Sequence, residues 1–268
     1  MHSINHAGSA LQTATEENRA DCETGMSYPA LKRRLPLIDV MRGIALISMI
    51  IYHASWNLDA FGFTQLGVLS APGWIAFARA IAGSFIVLTG ISLVLADAAG
   101  HGPHAKLKRI GKVALAAALV SIATYFVFPD AFVYFGILHH IALAGLLAWP
   151  LMRLHWLVIL AIAVGIVFVN QTIAVEFADT RWLAWIGISQ FVPPTNDYVP
   201  VFPWFAVVLA GVLAARLILT TPALQNQLAA RPSWSSPFIW MGRHSLLIYL
   251  IHQPILFGLT SFAYSLKG

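Results

Sequence analysis

Charged residues are scarce in this sequence. Only 10% of its 268 residues are Asp, Glu, Lys or Arg, and 59% are hydrophobic. Soluble domains carry about 25% charged residues. Water therefore cannot be the only solvent of this chain, and a membrane protein is expected.

Cysteine is almost absent, because Cys22 is the only one. A single cysteine excludes a disulfide or a thiolate metal site within one chain and disfavours a cysteine nucleophile. The sequence also has no Walker-type phosphate loop, no HExxH zinc pair and no GxSxG nucleophile turn. We therefore predict no metal site and no permanently bound cofactor.

Long stretches without charge are what the sequence does contain. Among them are residues 43–58, 80–96, 113–129, 131–152, 154–175, 198–215 and 244–266. A helix needs about 20 apolar residues to cross a bilayer, so small adjustments at the ends give seven candidate spans. The runs lack the apolar/polar alternation of membrane strands. The predicted fold is an all-α polytopic membrane helix bundle with about seven transmembrane helices.

Lysine and arginine collect in alternate connections between these runs. The N-terminal tail and the second, fourth and sixth loops contain Arg19, Lys32, Arg33, Arg34, Lys106, Lys108, Arg109, Lys112, Arg153, Arg216 and Arg231, whereas Arg181 lies in an intervening loop and Lys267 at the C-terminus. The positive-inside rule then places the N-terminus in the cytoplasm and the C-terminus outside. The net charge of +5 is thus explained by membrane topology, and no nucleic-acid partner is predicted. The expected location is the cell (inner) membrane, as a multi-pass protein.

The first 34 residues differ in character from the rest. Residues 1–34 are polar and predicted to be a disordered tail, and residues 35–268 form the predicted transmembrane domain. Residues 1–30 contain no apolar core of a cleavable signal peptide, so the first membrane helix is expected to act as the signal. Met26 remains an alternative start to Met1.

Arg42 and His53 lie eleven residues apart in the first predicted helix. At about 100° per residue they share a face, separated by about 16 Å along the axis, with Arg42 nearer the cytoplasm. Arginine suits a phosphate or carboxylate, and imidazole suits proton transfer or nucleophilic attack. A topology-setting arginine and a core histidine bonded to a neighbouring helix are the alternatives.

Further polar groups are candidates for the same site. Asp39 precedes Arg42 by three residues, where it is placed to cap the helix, to pair with the arginine, or both. His139 and His140 are adjacent in the fourth run and point about 100° apart. Only one of these two histidines is expected to face the pocket of His53.

Two more segments carry polar candidates. Ser245, Tyr249 and His252 follow one another at i, i+4 and i+7 in the last run, which indicates either a site or ordinary hydrogen bonding between helices. Asp197 lies in an outer loop, with two prolines before it and two after it that stiffen the backbone. It is placed to orient an imidazole or bind a cationic substrate, unless it is simply a solvated loop carboxylate.

The segment RLPLIDVMRGIALISMIIYHASWNL resembles the opening of the heparan-alpha-glucosaminide N-acetyltransferase catalytic-domain family. The resemblance continues through GSFIVLTGISLVLA, VYFGILHHIALAG, DYVPVFPWFAVVLAGVLA and GRHSLLIYLIHQPIL. It covers the chain from about Leu35 to Phe262. The spacing from Arg42 to His53 is also similar to that of membrane acyltransferases that O-acylate cell-surface polysaccharides.

The resemblance implies transfer of an acyl group, usually acetyl from cytoplasmic acetyl-CoA, to a sugar amine or hydroxyl on the far side. Acetyl-CoA is then a co-substrate, a glycan or glycolipid is the acceptor, and a homo-oligomer is possible. The histidine of the family's HASWN segment, the proposed catalytic residue, corresponds to His53. Arg42, with Lys108 or Arg109, is expected to attract the anionic part of the donor.

His139 and Asp197 are the expected partners of His53, and Asp39 and His252 are further supporting candidates. Whether the imidazole carries the acyl group or only removes a proton stays open, as does N- versus O-transfer. A proton-coupled transporter is the alternative from another class, since intramembrane His, Arg and Asp also serve carriers. Such carriers usually contain repeated halves, and no convincing internal repeat is visible.

Overall fold

The computed structural model describes residue 31 and residues 34–172, 178–189 and 192–267. Within these ranges the chain consists of helices and connecting loops, with one isolated β-bridge between Phe135 and Tyr198 and no strand. The all-α prediction is confirmed for this part of the chain. The predicted disordered tail, with Cys22 and Met26, lies outside the described residues apart from Leu31 and Arg34.

Nine α-helices follow one another in the described ranges. They are α1 (Pro36–Ala60), α2 (Pro72–Ala98), α3 (Pro103–Val127), α4 (Ile137–Leu151), α5 (Trp156–Thr172), α6 (Val201–Thr220), α7 (Pro222–Leu228), α8 (Ser236–Arg243) and α9 (Ser245–Ser265). Three of the long helices begin with proline, at Pro36, Pro72 and Pro103. Proline suits a first helical position because its missing N–H would have no intrahelical partner there.

Five of these helices, α1, α2, α3, α6 and α9, are long and apolar enough to cross a membrane. Helices α4 and α5 are apolar but have only 15 and 17 residues. The described chain therefore has the architecture of a multi-pass membrane protein. Seven spans and the orientation of the termini stay predictions.

Helix α4 is shorter than the charge-free run 131–152 because Ala131 ends a short 3₁₀ helix (Pro129–Ala131) and residues 132–136 form a loop. This loop is bonded to the segment before α6: the Asn196 N–H donates to the Ala131 carbonyl at 3.0 Å, and the Val199 N–H donates to the Phe135 carbonyl at 3.2 Å. Backbone groups held in this way are satisfied outside a helix. The two loops are thus hydrogen-bonded to each other beside the N-terminus of α4.

Helices α2 and α6 cross closely at two glycines. A Cβ atom at Gly90 would overlap the Val208 carbonyl, and one at Gly211 would overlap the Val87 carbonyl. Small residues allow the backbones of membrane helices to approach each other. The largest buried apolar cluster surrounds this crossing, with Val208 fully buried in it.

Replacing Gly90 by alanine is expected to destabilise this crossing, because the new methyl group meets backbone and not a movable side chain. Overpacking of this kind costs about 1–3 kcal/mol, which is a few degrees in Tm. Gly111→Ala is the matched control, since its Cβ would meet nothing within 4 Å. Thermal unfolding in detergent measures both, and equal melting temperatures would contradict the close crossing.

The short helix α8 packs on the first turns of α1 in a similar way. A Cβ atom at Gly43 would overlap the Phe238 carbonyl, and one at Gly242 would overlap the Asp39 carbonyl. The end of α8 therefore lies directly against the start of α1. This contact brings Arg243 to the polar group that Asp39 organises.

Candidate functional site

Asp39 lies at the centre of a group of arginines where α1 begins. Its buried carboxylate accepts hydrogen bonds from Arg42 Nη1 at 2.8 Å and from Arg34 Nη2 at 3.4 Å. Arg243 Nε, at the end of α8, is 3.6 Å from the same carboxylate. One negative charge thus holds three positive ones, so the group has a net positive charge.

Arg42 is fixed on its other side as well. Its Nη2 donates to the Ser92 hydroxyl of α2, and that hydroxyl donates to the Leu88 carbonyl at 2.5 Å. The guanidinium is therefore held between α1 and α2. A side chain held in advance loses less entropy when it binds a ligand than a free surface arginine does.

A cavity of about 580 Å³ opens beside this group. Five cationic side chains and one carboxylate line it: Arg34, Arg42, Arg109, Lys112, Arg243 and Asp39. The rest of the wall is mainly apolar and comes from α2, α3, α4 and α9, with Phe85, Leu88, Val113, Ile137, Leu138, Ile141, Leu246 and Tyr249. Such a cavity suits a ligand with several negative charges at one end and an apolar or neutral extension at the other.

Lys108 does not line this cavity and is exposed, although it was a candidate for donor binding. Arg109 and Lys112 of the same helix line it instead. The sequence places Lys112 in the basic segment 106–112, which suits setting of topology or neutralising lipid head groups or an anionic ligand, but it does not single this lysine out for donor binding. Arg243 was given no role either, although it lies in the segment GRHSLLIYLIHQPIL that carries part of the family resemblance.

A second cavity of about 260 Å³ adjoins the first. Arg109 lines both cavities, as do Thr89, Val113 and Ile141. Lys106, a further wall residue, is buried, forms an ion pair with Asp97 and lies 5.3 Å above the Trp149 ring. The two cavities are therefore neighbours that share part of one wall.

His53 and His252 lie side by side, further along α1 and α9 than the residues of these helices that line the cavity. Their ring centroids are 5.0 Å apart with planes inclined at 54°, and the Tyr52 ring meets His53 edge-on at 5.5 Å. No hydrogen bond reaches the His53 ring from any residue in the described ranges. His53 is only partly buried, so its ring nitrogens stay available to a ligand.

Tyr249 joins the cavity to this pair of histidines. It lines the 580 Å³ cavity, and its ring centroid lies 5.6 Å from that of His252, one turn further along α9. Ser245, Tyr249 and His252 of the last helix therefore extend from the cavity to the histidine pair. The cavity is lined by cations, and the pair consists of the two imidazoles of His53 and His252.

His139 is hydrogen-bonded away from His53, and both ring nitrogens of His140 are buried without a hydrogen bond in the described part of the chain. His139 accepts the Gly136 N–H at Nδ1, 3.2 Å away, and its Nε2 bonds with the Ser121 hydroxyl at 3.1 Å. His140 is buried and faces the backbone carbonyls of the segment before α6. In the described structure, His252 and not His139 is the histidine beside His53.

Asp197 is bonded to the start of α4. Its carboxylate accepts the Ile137 N–H at 2.8 Å, and a Cβ atom at Gly136 would overlap that carboxylate, so the close approach requires glycine there. Burial raises the pKa of Asp197 to about 6, and the bond from Ile137 partly opposes the rise. Its contact in the described structure is with a helix N-terminus, where a negative charge is favourable.

The raised pKa of Asp197 predicts a pH-dependent effect on stability. Its ordinary value is 3.8 and its folded value about 6, so its contribution is present below pH 4 and is lost as the pH rises through 6. Asp197→Asn has no such titration. The melting temperature of the variant relative to the native chain should therefore rise between pH 4.5 and pH 7, and an unchanged difference would contradict the raised pKa.

No group of three or more His, Cys, Asp or Glu side chains in the described ranges is placed to hold a metal ion.

Comparison with known families gives one match: the profile described as heparan-alpha-glucosaminide N-acetyltransferase, catalytic, covers residues 34–254. Neither the curated proteins nor the solved structures contain a match to the chain. The matched range includes every residue of the cavity and of the histidine pair.

Proposed function

The chain belongs to the heparan-alpha-glucosaminide N-acetyltransferase catalytic family, and on that premise we propose that it moves acetyl from cytoplasmic acetyl-CoA to an acceptor across the membrane. Membership in this family and the apolar helices make it a membrane acetyltransferase in general terms. The donor, the acceptor and the residues that act on them form the proposal. The acceptor we propose is an amine or hydroxyl of a glycan or glycolipid on the outer side.

The cationic cavity carries the proposal for the donor. Coenzyme A bears a diphosphate and a 3′-phosphate, and the cavity offers five cations against one carboxylate. Arginine binds phosphate through paired, charge-assisted hydrogen bonds, and lysine adds a point charge. By the positive-inside rule this end of the bundle faces the cytoplasm, where acetyl-CoA is found.

The apolar part of the cavity suits the rest of the donor. The pantetheine arm is long, flexible and mostly neutral, and the wall between α2, α4 and α9 presents Phe85, Ile141 and Tyr249. The adjoining 260 Å³ space gives room for part of the nucleotide. An arm that passes Tyr249 brings its thioester towards His252 and His53.

The proposed chemistry takes place at His53. In direct transfer, its ring nitrogen removes the proton from the acceptor O–H or N–H while the acceptor atom attacks the thioester carbonyl carbon. The carbon–sulfur bond then breaks, and the proton passes from His53 to the departing thiolate. In the covalent variant, the ring nitrogen attacks the thioester carbonyl carbon, and the carbon–sulfur bond breaks to release the CoA thiolate. The acceptor then attacks the acetyl carbon, the bond between nitrogen and acetyl breaks, and the acceptor's proton goes to the thiolate.

Acetyl transfer by the purified protein in lipid nanodiscs tests this function. Acetyl-labelled acetyl-CoA is supplied with glucosamine as an amine acceptor or glucose as a hydroxyl acceptor, and free CoA thiol and labelled sugar are measured. We expect thiol release with label in at least one sugar. Absence of both binding and turnover would overturn the donor assignment. No feature of the described chain favours the transporter alternative.

A further inference from the structure

The hydrogen bonding of His252 determines which of its nitrogens carries the proton. Its Nδ1 lies 2.6 Å from the Tyr249 carbonyl oxygen. A carbonyl oxygen only accepts, so Nδ1 must donate and must hold the hydrogen. A neutral imidazole carries one N–H, which leaves Nε2 as an acceptor with a free lone pair. Burial of the side chain favours this neutral form.

That acceptor is left without a partner. Within the described ranges, His252 Nε2 is buried and receives no hydrogen bond. An unsatisfied buried polar atom costs about 1–3 kcal/mol. The imidazole nearest to it is that of His53, 5.0 Å away between ring centroids. The two rings are thus neighbours, and the His53 ring is only partly buried.

We propose that His252 is a positioning residue for His53, and that its Nε2 accepts the N–H of the His53 ring. This inference rests on the proposed function, in which His53 acts on the acceptor. The bond fixes which nitrogen of His53 is protonated and which one presents its lone pair to the substrate. In many enzymes a carboxylate orients the catalytic histidine; in the described part of this chain no carboxylate contacts His53, and a neutral imidazole takes that place.

The proton balance agrees with this role. His53 takes the acceptor's proton on its free nitrogen and becomes an imidazolium, while its second N–H stays bonded to His252 Nε2. His252 remains neutral throughout, because its own Nδ1–H is held by the Tyr249 carbonyl. The proton then leaves His53 for the thiolate of CoA. No further reactant is needed.

Two substitutions of His252 separate this role from a purely structural one. The asparagine amide reaches the position of Nδ1 and keeps the bond to Tyr249, but it leaves nothing at Nε2. Glutamine extends to the position of Nε2 and offers its carbonyl oxygen to His53. We expect His252→Asn to lower kcat by up to about 10⁴-fold, the loss seen when a catalytic histidine loses its orienting partner. The KM for acetyl-CoA should stay unchanged, and His252→Gln should retain most of the activity. Equal activity of both variants would overturn the proposal.

A second measurement does not depend on turnover. Nitrogen NMR of histidine-labelled protein in nanodiscs reports the protonated nitrogen of each ring. We expect His252 in the Nδ1–H form and His53 in one tautomer, which becomes a mixture in His252→Asn but not in the control His104→Asn. An Nε2–H form of His252, or an unchanged His53 signal, would overturn the positioning role. If the native protein transfers no acetyl group, these signals still show whether His252 positions His53. Failure of the proposed function and failure of the positioning role can therefore be told apart.

Discussion

Replacing His53 by alanine is expected to lower acetyl transfer by about 10²–10⁴-fold, because a positioned general base contributes that much to a proton-transfer step. Binding of acetyl-CoA should stay close to native, since His53 does not line the cavity that holds the cations. Initial rates and equilibrium binding in nanodiscs measure the two quantities separately.

His104→Ala is the matched control for this experiment. His104 is exposed, lies at the start of α3 and lines neither cavity, so its replacement should leave both rate and binding unchanged. A fully active His53→Ala protein would show that the imidazole is a packing residue. A loss of donor binding with a loss of rate would instead place His53 in the donor site.

Replacing Arg42 by alanine is expected to raise the KM for acetyl-CoA about 10- to 100-fold. Hydrogen bonds to charged groups contribute about 1.5–3 kcal/mol each, and each 1.4 kcal/mol changes an affinity by tenfold. Asp39 keeps its contacts with Arg34 and Arg243 in this variant. The start of α1 should therefore stay folded while one phosphate contact is lost.

Lys108→Ala removes the same charge from outside the cavity and is the control for Arg42. Because the lysine is exposed and absent from the lining, its loss should change the KM less than twofold. Arg109→Ala, which removes a lining residue of both cavities, should resemble Arg42→Ala. If Lys108→Ala weakened binding as much as Arg42→Ala, the donor would lie elsewhere on the basic surface.

The helical class and the shared face of Arg42 and His53 follow from composition and helical periodicity. Both depend only on neighbours along the chain, which a sequence displays directly. The pair of His53 and His252 joins residues almost 200 positions apart. Which faces of α1 and α9 meet is decided by packing between helices, which periodicity does not report.

The position of His139 is a second case in which helical periodicity did not predict a contact between helices. Helical geometry indicated that one of the adjacent histidines turns towards His53. In the fold, Ser121 of α3 and the Gly136 N–H occupy both of its ring nitrogens. These partners come from the neighbouring helix α3 and from the loop before α4, which begins only at Ile137. Likewise, the rotation of α3 about its axis decides that Lys112 lines the cavity and Lys108 does not.

The cations line the 580 Å³ cavity and do not contact the histidine pair. This separation affects how strongly the product, free CoA, would inhibit the reaction. The phosphates that they would bind are identical in acetyl-CoA and in free CoA, so the leaving product keeps nearly all of the contacts that held the donor. Free CoA should then compete strongly for the same space, and its departure should limit the rate. Such a protein responds to the ratio of acetylated to free coenzyme in the cytoplasm more than to the amount of either.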